Sequence, residues 1–182
     1  MPIALLSFIL LFNGYLFQSE DLFQSENSYK VHDLRHFMEK SAKDKEVCER
    51  FIKHLGKYPG KDPVVLGFEA AAQGVMAKHA WSPYYKLKYL HHSAQLFEQV
   101  MKQHPRVPEV HFLRYTVQFF IPRYLNLSDN LEEDKKVFMP SLLAYPKSDL
   151  DAEAVQIMRR FLLRHPEHLT EQELKLITNL KV

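Results

Sequence analysis

Two histidines, His32 and His36, lie four residues apart in a stretch that we predict to be helical. That spacing places both imidazoles on one face of a helix, where such pairs can bind zinc. The pentapeptide HDLRH lacks the glutamate of the zinc-protease motif HExxH, and no third ligand stands in a recognisable position. The sequence therefore predicts neither a metal site nor a cofactor.

Four polar-tipped rings occur together at one turn between two predicted helices, and Trp81 is the only tryptophan of the chain. Such rings combine a large apolar area with a hydrogen-bonding edge, so they suit a ligand pocket or a peptide-binding patch. In the alternative interpretation, Trp81 and one tyrosine plug the end of a helical hairpin. Solvent exposure of the rings distinguishes the two. The candidate binding residues are His79, Trp81, Tyr84 and Tyr85.

No motif indicates a catalytic residue. The single cysteine, Cys48, falls on an apolar helix face, and no Gly-rich phosphate loop or GxSxG sequence occurs. A second hypothesis is a small helical enzyme or ligand carrier with a pocket between helices. Its acid and base would be His79, His111 and either Glu132 or Glu133, which must then converge on one pocket.

Composition bounds the class of protein. The chain has 182 residues, 46 % of them apolar, and its net charge is +2, which gives no electrostatic reason to expect nucleic acid as a partner. No segment alternates as a strand does, and no glycine follows Gly74. We predict an all-α fold of antiparallel helical hairpins, arranged as a TPR-like short solenoid or bundle of six to eight helices.

Prolines and capping residues mark the helix boundaries. Asp62-Pro63 opens a helix that stops at Trp81-Ser82-Pro83, and the next helix ends at His104-Pro105. Pro108 begins the helix after that. Gly67 and Gly74 share one helix face, which suggests that a neighbour packs closely there, because glycine weakens a helix by about 1 kcal/mol. Helical spacing predicts that Leu87, Leu90, Ala94, Phe97 and Met101, and then Val110, Leu113, Val117 and Phe120, point inward.

The C-terminal part carries three predicted cap pairs. They are Asn130 with Glu133, Ser148 with Asp151, and Thr170 with Glu173. Pro140 lacks an N–H donor, so we expect the helix that contains it to bend or stop near Met139.

The N-terminal residues have a different character. Residues 3–17 are apolar and uncharged, a length that suits the core of a signal peptide, although no Lys or Arg precedes them. Two six-residue copies, LFQSED and LFQSEN, occupy residues 16–27. We predict a signal peptide or hydrophobic segment over residues 1–19, a linker with the duplication over 20–29, and one helical domain over 30–182.

The central stretch resembles tetratricopeptide-type repeats, in which two helices precede a proline and a third follows. Leu66-Gly67 is similar to the Leu-Gly pair of that repeat, and Ala94, Phe97 and Pro105 resemble its small residue, aromatic and terminal proline. The spacing from Gly67 to Ala94 is far longer than the standard repeat permits between these two positions, and no second copy follows. The resemblance therefore implies TPR-like packing and not a regular array.

A second resemblance is to an uncharacterised family of short, exported helical proteins from Bacteroidota-type bacteria. It covers about residues 30 to 140 and implies the fold and the compartment only. The blocks that resemble it are Asp62–Gly67, Ala77–Tyr84, Glu109–Arg114 and Asn130–Lys135.

These features favour a non-enzymatic protein, exported to the periplasm or secreted, that binds a protein or peptide partner. A cytoplasmic location is the alternative. Membrane contact is expected only through the N-terminal segment, if that segment is not cleaved. A third possibility is a structural envelope protein that an uncleaved N-terminal segment holds at the membrane.

Overall fold

The computed structural model describes residues 29–182, and the apolar run at 3–17 and the duplication at 16–27 lie outside the described residues. Within 29–182 the chain forms eight α-helices and no strand, which confirms the predicted all-α class. None of these helices is long and apolar enough to cross a membrane. They are α1 (Val31–Ser41), α2 (Lys45–Leu55), α3 (Pro63–His79), α4 (Pro83–Gln103), α5 (Pro108–Phe119), α6 (Leu131–Leu143), α7 (Ala152–Arg164) and α8 (Glu171–Asn179).

Short polar side chains begin several of these helices. The Asp62 carboxylate accepts hydrogen bonds from the backbone N–H groups of Val64 and Val65, with Pro63 as the first helical residue. The predicted capping box of Thr170 and Glu173 is present at the start of α8. These contacts are local in sequence, which is why the sequence predicts them.

Helix α3 lies at the centre of the first half of the chain. Most faces of α3 are buried and carry small or apolar residues, among them Val65, Phe68 and Ala71. Helix α4 returns antiparallel beside it, and the Ser93 hydroxyl of α4 donates to the carbonyl oxygen of Ala70 at 2.7 Å. A buried helix with small residues on several faces can have neighbours on several sides.

The two glycines of α3 face α5. A Cβ atom at Gly67 would lie 3.2 Å from Val110, and one at Gly74 would lie 2.5 Å from Val117. The predicted packing reason is confirmed, although the close neighbours are the valine side chains of α5 and not another backbone. Because the contacts advance together (67 to 74, and 110 to 117), α3 and α5 run parallel and end at the same end of the molecule.

Helix α5 separates two apolar cores and belongs to both. Val110 and Leu113 pack into a core built from α1 to α5. Phe112 and Tyr115 pack into a second core built from α5 to α8. Alternate faces of one helix therefore join the two halves of the domain.

One arginine links the first helix to the second half. Arg35 of α1 is 8 % exposed. Its guanidinium donates to both carboxylate oxygens of Glu109 at 2.8 Å, to Asp151 at 2.9 and 3.0 Å, and to Glu153 at 2.7 Å. Burial alone would lower the pKa of Arg35, but the bonds to these carboxylates raise it. Burial raises the pKa of Glu109 despite the bonds from Arg35, so Glu109 depends on that arginine as its partner.

One helix end and two caps differ from the predictions. Helix α6 continues through Pro140 to Leu143, since buried Met139 and Leu142 hold its last turn in the second core. Asn130 does not cap α6, because its side-chain oxygen accepts from Gln118 of α5 at 3.1 Å. Of the predicted cap pair Ser148 and Asp151, only Asp151 caps α7. The Asp151 side chain accepts from the backbone N–H of Ala154, while the hydroxyl of Ser148 has no partner among the described residues.

Two residues predicted to point inward lie at the surface. Ala94 is exposed, and Ser93 is the small residue that α4 presents to α3. Phe120 is 65 % exposed, because α5 ends at Phe119 and the helical spacing does not continue beyond it. The first error shifts a helical face by one residue, and the second continues a helix beyond its end.

Replacing Gly74 with alanine should destabilise the fold. The added Cβ would meet the stiff, β-branched side chain of Val117, so we expect a loss of about 1–3 kcal/mol in the free energy of unfolding, measured by chemical denaturation. Gly56→Ala is the control, because its nearest neighbour, the Ile52 carbonyl oxygen, would be 3.4 Å away. Equal stability of the two variants would contradict the close packing of α3 against α5.

Candidate functional site

The turn between α3 and α4 holds three aromatic side chains outward. Ala80 is extended and buried, so the chain leaves α3 before Trp81. Ser82 then caps α4, its hydroxyl accepting from the backbone N–H of Tyr85 at 3.3 Å, and Pro83 is the first helical residue. Tyr84 and Tyr85 consequently stand in the first turn of α4.

The rings at this turn are exposed. Trp81 is 89 % exposed, Tyr84 70 % and Tyr85 47 %, and the two tyrosine rings meet edge to face with centroids 5.4 Å apart. These exposures contradict the interpretation that Trp81 and a tyrosine plug the hairpin end. We call Trp81, Tyr84 and Tyr85 the aromatic turn.

His79 does not join the aromatic turn. Its Nε2 donates to the carbonyl oxygen of Ser41 at 2.7 Å, and the neighbouring Lys78 donates to the carbonyl oxygen of Ala42 at 2.7 Å. Both acceptors are carbonyl groups at the C-terminal end of α1, where basic side chains commonly donate hydrogen bonds. His79 therefore fixes the position of the end of α3, from which the aromatic turn projects.

Two further exposed aromatic residues lie at the same end of the molecule. Phe120 follows α5 directly, and Tyr124, in a short 3-10 helix, is 81 % exposed. Because α3 and α5 run parallel, both residues follow a helix that ends on the side of the aromatic turn. The Phe120 ring also packs edge to face on Phe119 and on His165. The helical spacing did not predict this pair, although the break at Ile121-Pro122 indicates that these residues leave the helix.

The aromatic turn stands in a basic part of the chain. No Asp or Glu occurs from residue 70 to residue 97, whereas Lys78, Lys86 and Lys88 do. The ammonium groups of Lys86 and Lys88 are exposed and form no ion pair with any residue of 29–182. The exposed rings are thus next to uncompensated positive charge.

A second cluster of polar side chains is buried between α5 and α6. Asp134 is fully buried and accepts from His111 Nδ1 at 2.7 Å and from Arg114 Nε and Nη2 at 2.9 and 2.7 Å. His111 Nε2 faces the carbonyl oxygen of Pro105 at 3.1 Å. We call His111, Arg114 and Asp134 the buried polar cluster. Every ionised group in it has a partner, as burial requires.

The buried polar cluster does not form a base for catalysis. Both ring nitrogens of His111 lie within hydrogen-bonding distance of protein oxygens, Nδ1 of Asp134 and Nε2 of the Pro105 carbonyl, so neither nitrogen faces open solvent. His111 is 3 % exposed, while the side chains of Glu132 and Glu133 are 66 % and 64 % exposed. Neither of two open surface depressions found in residues 29–182 is lined by His79 or His111. An acid–base site would require His79, His111 and a glutamate to line one pocket, and neither of these depressions brings them together.

Two buried groups that could act as nucleophiles are held neutral. Burial raises the pKa of the Cys48 thiol to about 12, and its sulfur lies 3.7 Å from the carbonyl oxygen of Ala72. Burial likewise raises the pKa of Tyr115 to about 12. A thiol that stays protonated at neutral pH is unreactive, so Cys48 fits its predicted role as a small buried apolar residue.

One histidine of the α1 pair contacts another helix. His32 Nδ1 lies 2.8 Å from Glu153 of α7. Among residues 29–182 no group of three His, Cys, Asp or Glu side chains is placed to hold a metal ion.

No family model matches the chain, and neither a curated protein nor a solved structure matches it.

Sequence analysis found His111 but assigned it the wrong partners. The signal for the right ones was the spacing of His111, Arg114 and Gln118, which places three polar residues along one line of an otherwise apolar helix. Such a line predicts polar partners on a neighbouring helix. Asp134 lies in an acidic run, so the sequence alone could not distinguish it from its solvated neighbours.

Removal of the central carboxylate should destabilise the domain strongly. Asp134→Ala leaves the buried guanidinium of Arg114 and Nδ1 of His111 without their acceptor, and we expect a loss of about 3–5 kcal/mol in the free energy of unfolding. Glu133→Ala, one residue away and exposed, should cost less than about 1 kcal/mol. Thermal and chemical unfolding of both variants would measure the difference. A small loss for Asp134→Ala would show that the cluster does not stabilise the contact between α5 and α6.

Proposed function

We propose that the chain is a non-enzymatic helical protein that binds a protein or peptide partner through the aromatic turn. The exposure of Trp81 is the observation that supports this most. A fully exposed tryptophan gains nothing from the fold, whereas tryptophan and tyrosine are the residues that most often dominate binding energy at interfaces.

The construction of the turn supports the same proposal. Ser82 and Pro83 fix where α4 begins, and the bond from His79 to Ser41 fixes the end of α3. Rings that extend from a rigid support lose less conformational entropy on binding than rings on a mobile loop. His79 thus has a positioning role in this proposal, and Trp81, Tyr84 and Tyr85 make the contact.

The partner that suits this surface is a peptide segment with apolar anchors and negative charge. Apolar side chains would cover the rings, and carboxylates would lie near Lys86 and Lys88. Helical hairpins that use an exposed face for binding are typical of TPR-like packing, which remains part of the proposal.

We place the protein outside the cytoplasm, in the periplasm or secreted. The support for this is the uncharged apolar run at residues 3–17 and the resemblance to exported helical proteins. The alternative of a small enzyme receives no support from His79 and His111, because their hydrogen-bond partners lie on different helices.

The aromatic turn can be tested without a known partner. We would select peptides from a random displayed library on the wild-type chain. The selected peptides would be synthesised and their affinities measured for the wild type and for the variant Trp81→Ser/Tyr84→Ser/Tyr85→Ser. We expect the triple substitution to weaken binding by about 30-fold or more, since buried aromatic anchors contribute about 2 kcal/mol.

Leu176→Ser is the matched control, because Leu176 is another exposed apolar side chain, on α8. It should leave the affinity for these peptides unchanged, and circular dichroism should show that all variants keep their helices. If no selected peptide depends on the three rings, the proposed function is wrong.

A further inference from the structure

The exposed aromatic residues form a larger surface than the turn alone. Among residues 29–182 the exposed large apolar side chains are mainly aromatic, and all five aromatic ones follow helices that end on one side of the molecule. We call this set the aromatic end. It consists of Trp81, Tyr84, Tyr85, Phe120 and Tyr124.

The charge around the aromatic turn is positive and uncompensated. In the α1–α2 connection, Asp44 caps α2 and Glu39 pairs with Lys43. At the start of α6, Glu132 pairs with Lys135 and Glu133 with Arg114. Lys86 and Lys88 have no such partner in residues 29–182, so an occupant with carboxylates would be attracted there.

The chain itself contains a segment with the complementary chemistry. Residues 16–27 contain two Leu-Phe pairs, Leu16-Phe17 and Leu22-Phe23, together with Glu20, Asp21 and Glu26. No Lys or Arg occurs among them. The segment therefore offers apolar anchors for the rings and negative charge for the lysines.

We propose that Leu16 and Phe17 of the full-length chain dock on the aromatic end of the same molecule, with Glu20 and Asp21 near Lys86 and Lys88. This inference rests on the proposed function, because it names an intramolecular occupant for the partner-binding surface. Tethering gives such an occupant a high effective concentration, so weak contacts are sufficient.

The position of Tyr29 sets the length of chain that docking requires. Tyr29 donates to the carbonyl oxygen of His54 at 3.1 Å and its ring lies 4.8 Å from that of Tyr58. The Tyr58 hydroxyl in turn accepts from the backbone N–H of Asp62, at the start of α3. Tyr29 therefore lies at the opposite end of α3 from Trp81, and α3, with 17 residues, is about 25 Å long.

Backbone length favours the first copy of the duplicated sequence. From Tyr29 back to Phe23 the backbone extends about 20 Å at most, less than the length of α3, and from Tyr29 back to Phe17 it extends about 40 Å. The second copy would need a fully stretched chain, whereas the first copy spans the length of α3 without stretching. The duplication thus supplies the chain length that docking of Leu16-Phe17 needs.

This arrangement links docking to N-terminal processing. Cleavage after residue 19, as the signal-peptide prediction has it, would remove Leu16 and Phe17 and leave the aromatic end free. In the unprocessed chain the same segment competes with any external partner.

Trp81 fluorescence tests the inference, because Trp81 is the only tryptophan. In the purified full-length chain we expect emission at shorter wavelength than in the variant Leu16→Ser/Phe17→Ser, since docking removes water from the indole. High salt should move the wild-type emission toward that of the variant. The matched control, Leu22→Ser/Phe23→Ser, should keep the wild-type emission, and dilution should change nothing.

Three outcomes would overturn the inference. The first is equal emission of the wild type and the first-copy variant. The second is an equal shift in the control. The third is a shift that disappears on dilution, which would make a second copy of the chain the occupant.

The selected peptides separate this inference from the proposed function. If Leu16→Ser/Phe17→Ser binds them at least severalfold more tightly than wild type, both stand. If binding depends on the rings of the aromatic turn, but the wild type and Leu16→Ser/Phe17→Ser bind the peptides equally, only the intramolecular docking is wrong. If binding does not depend on the rings, the proposed function fails independently of the fluorescence result.

Discussion

The fold depends on α5 being buried on both sides. Val110 and Leu113 pack into the core of α1 to α5, and Phe112 and Tyr115 pack into the core of α5 to α8. An amphipathic helix has one apolar stripe, whereas a helix shared by two cores needs two. The polar residues of α5 must then find partners within the protein. His111 and Arg114 both hydrogen-bond to the carboxylate of Asp134 in α6.

This arrangement explains where the exposed aromatic residues lie. The valines of α5 fill the space left by Gly67 and Gly74, so α3 and α5 run parallel and end together. Beyond those ends the chain cannot continue as helix, because Pro83 and Pro122 follow within a few residues. The rings beyond the helices therefore have no core to enter, and Trp81 stays 89 % exposed.

The sequence predicted what local chemistry decides. Asp62, Ser82 and Thr170 cap helices through bonds that span only two or three residues, and prolines mark the boundaries. It failed where a distant contact decides. Gln118 takes the side chain of Asn130 away from its expected cap, and the second core holds α6 together beyond Pro140. The candidate site was located correctly at the turn, but the separation of His79 from the rings depends on Ser41, which lies 38 residues away.

The central claim is that the aromatic turn contacts a partner when the protein works. Site-specific photo-crosslinking in the native host tests it most directly, with the photoreactive residue at Tyr84 and, as a control, at Leu176, which is also exposed. The account predicts an adduct of defined mass from position 84 that disappears when Trp81 and Tyr85 are replaced by serine, and none from position 176. Absence of an adduct at 84, or the same adduct at both positions, would contradict it.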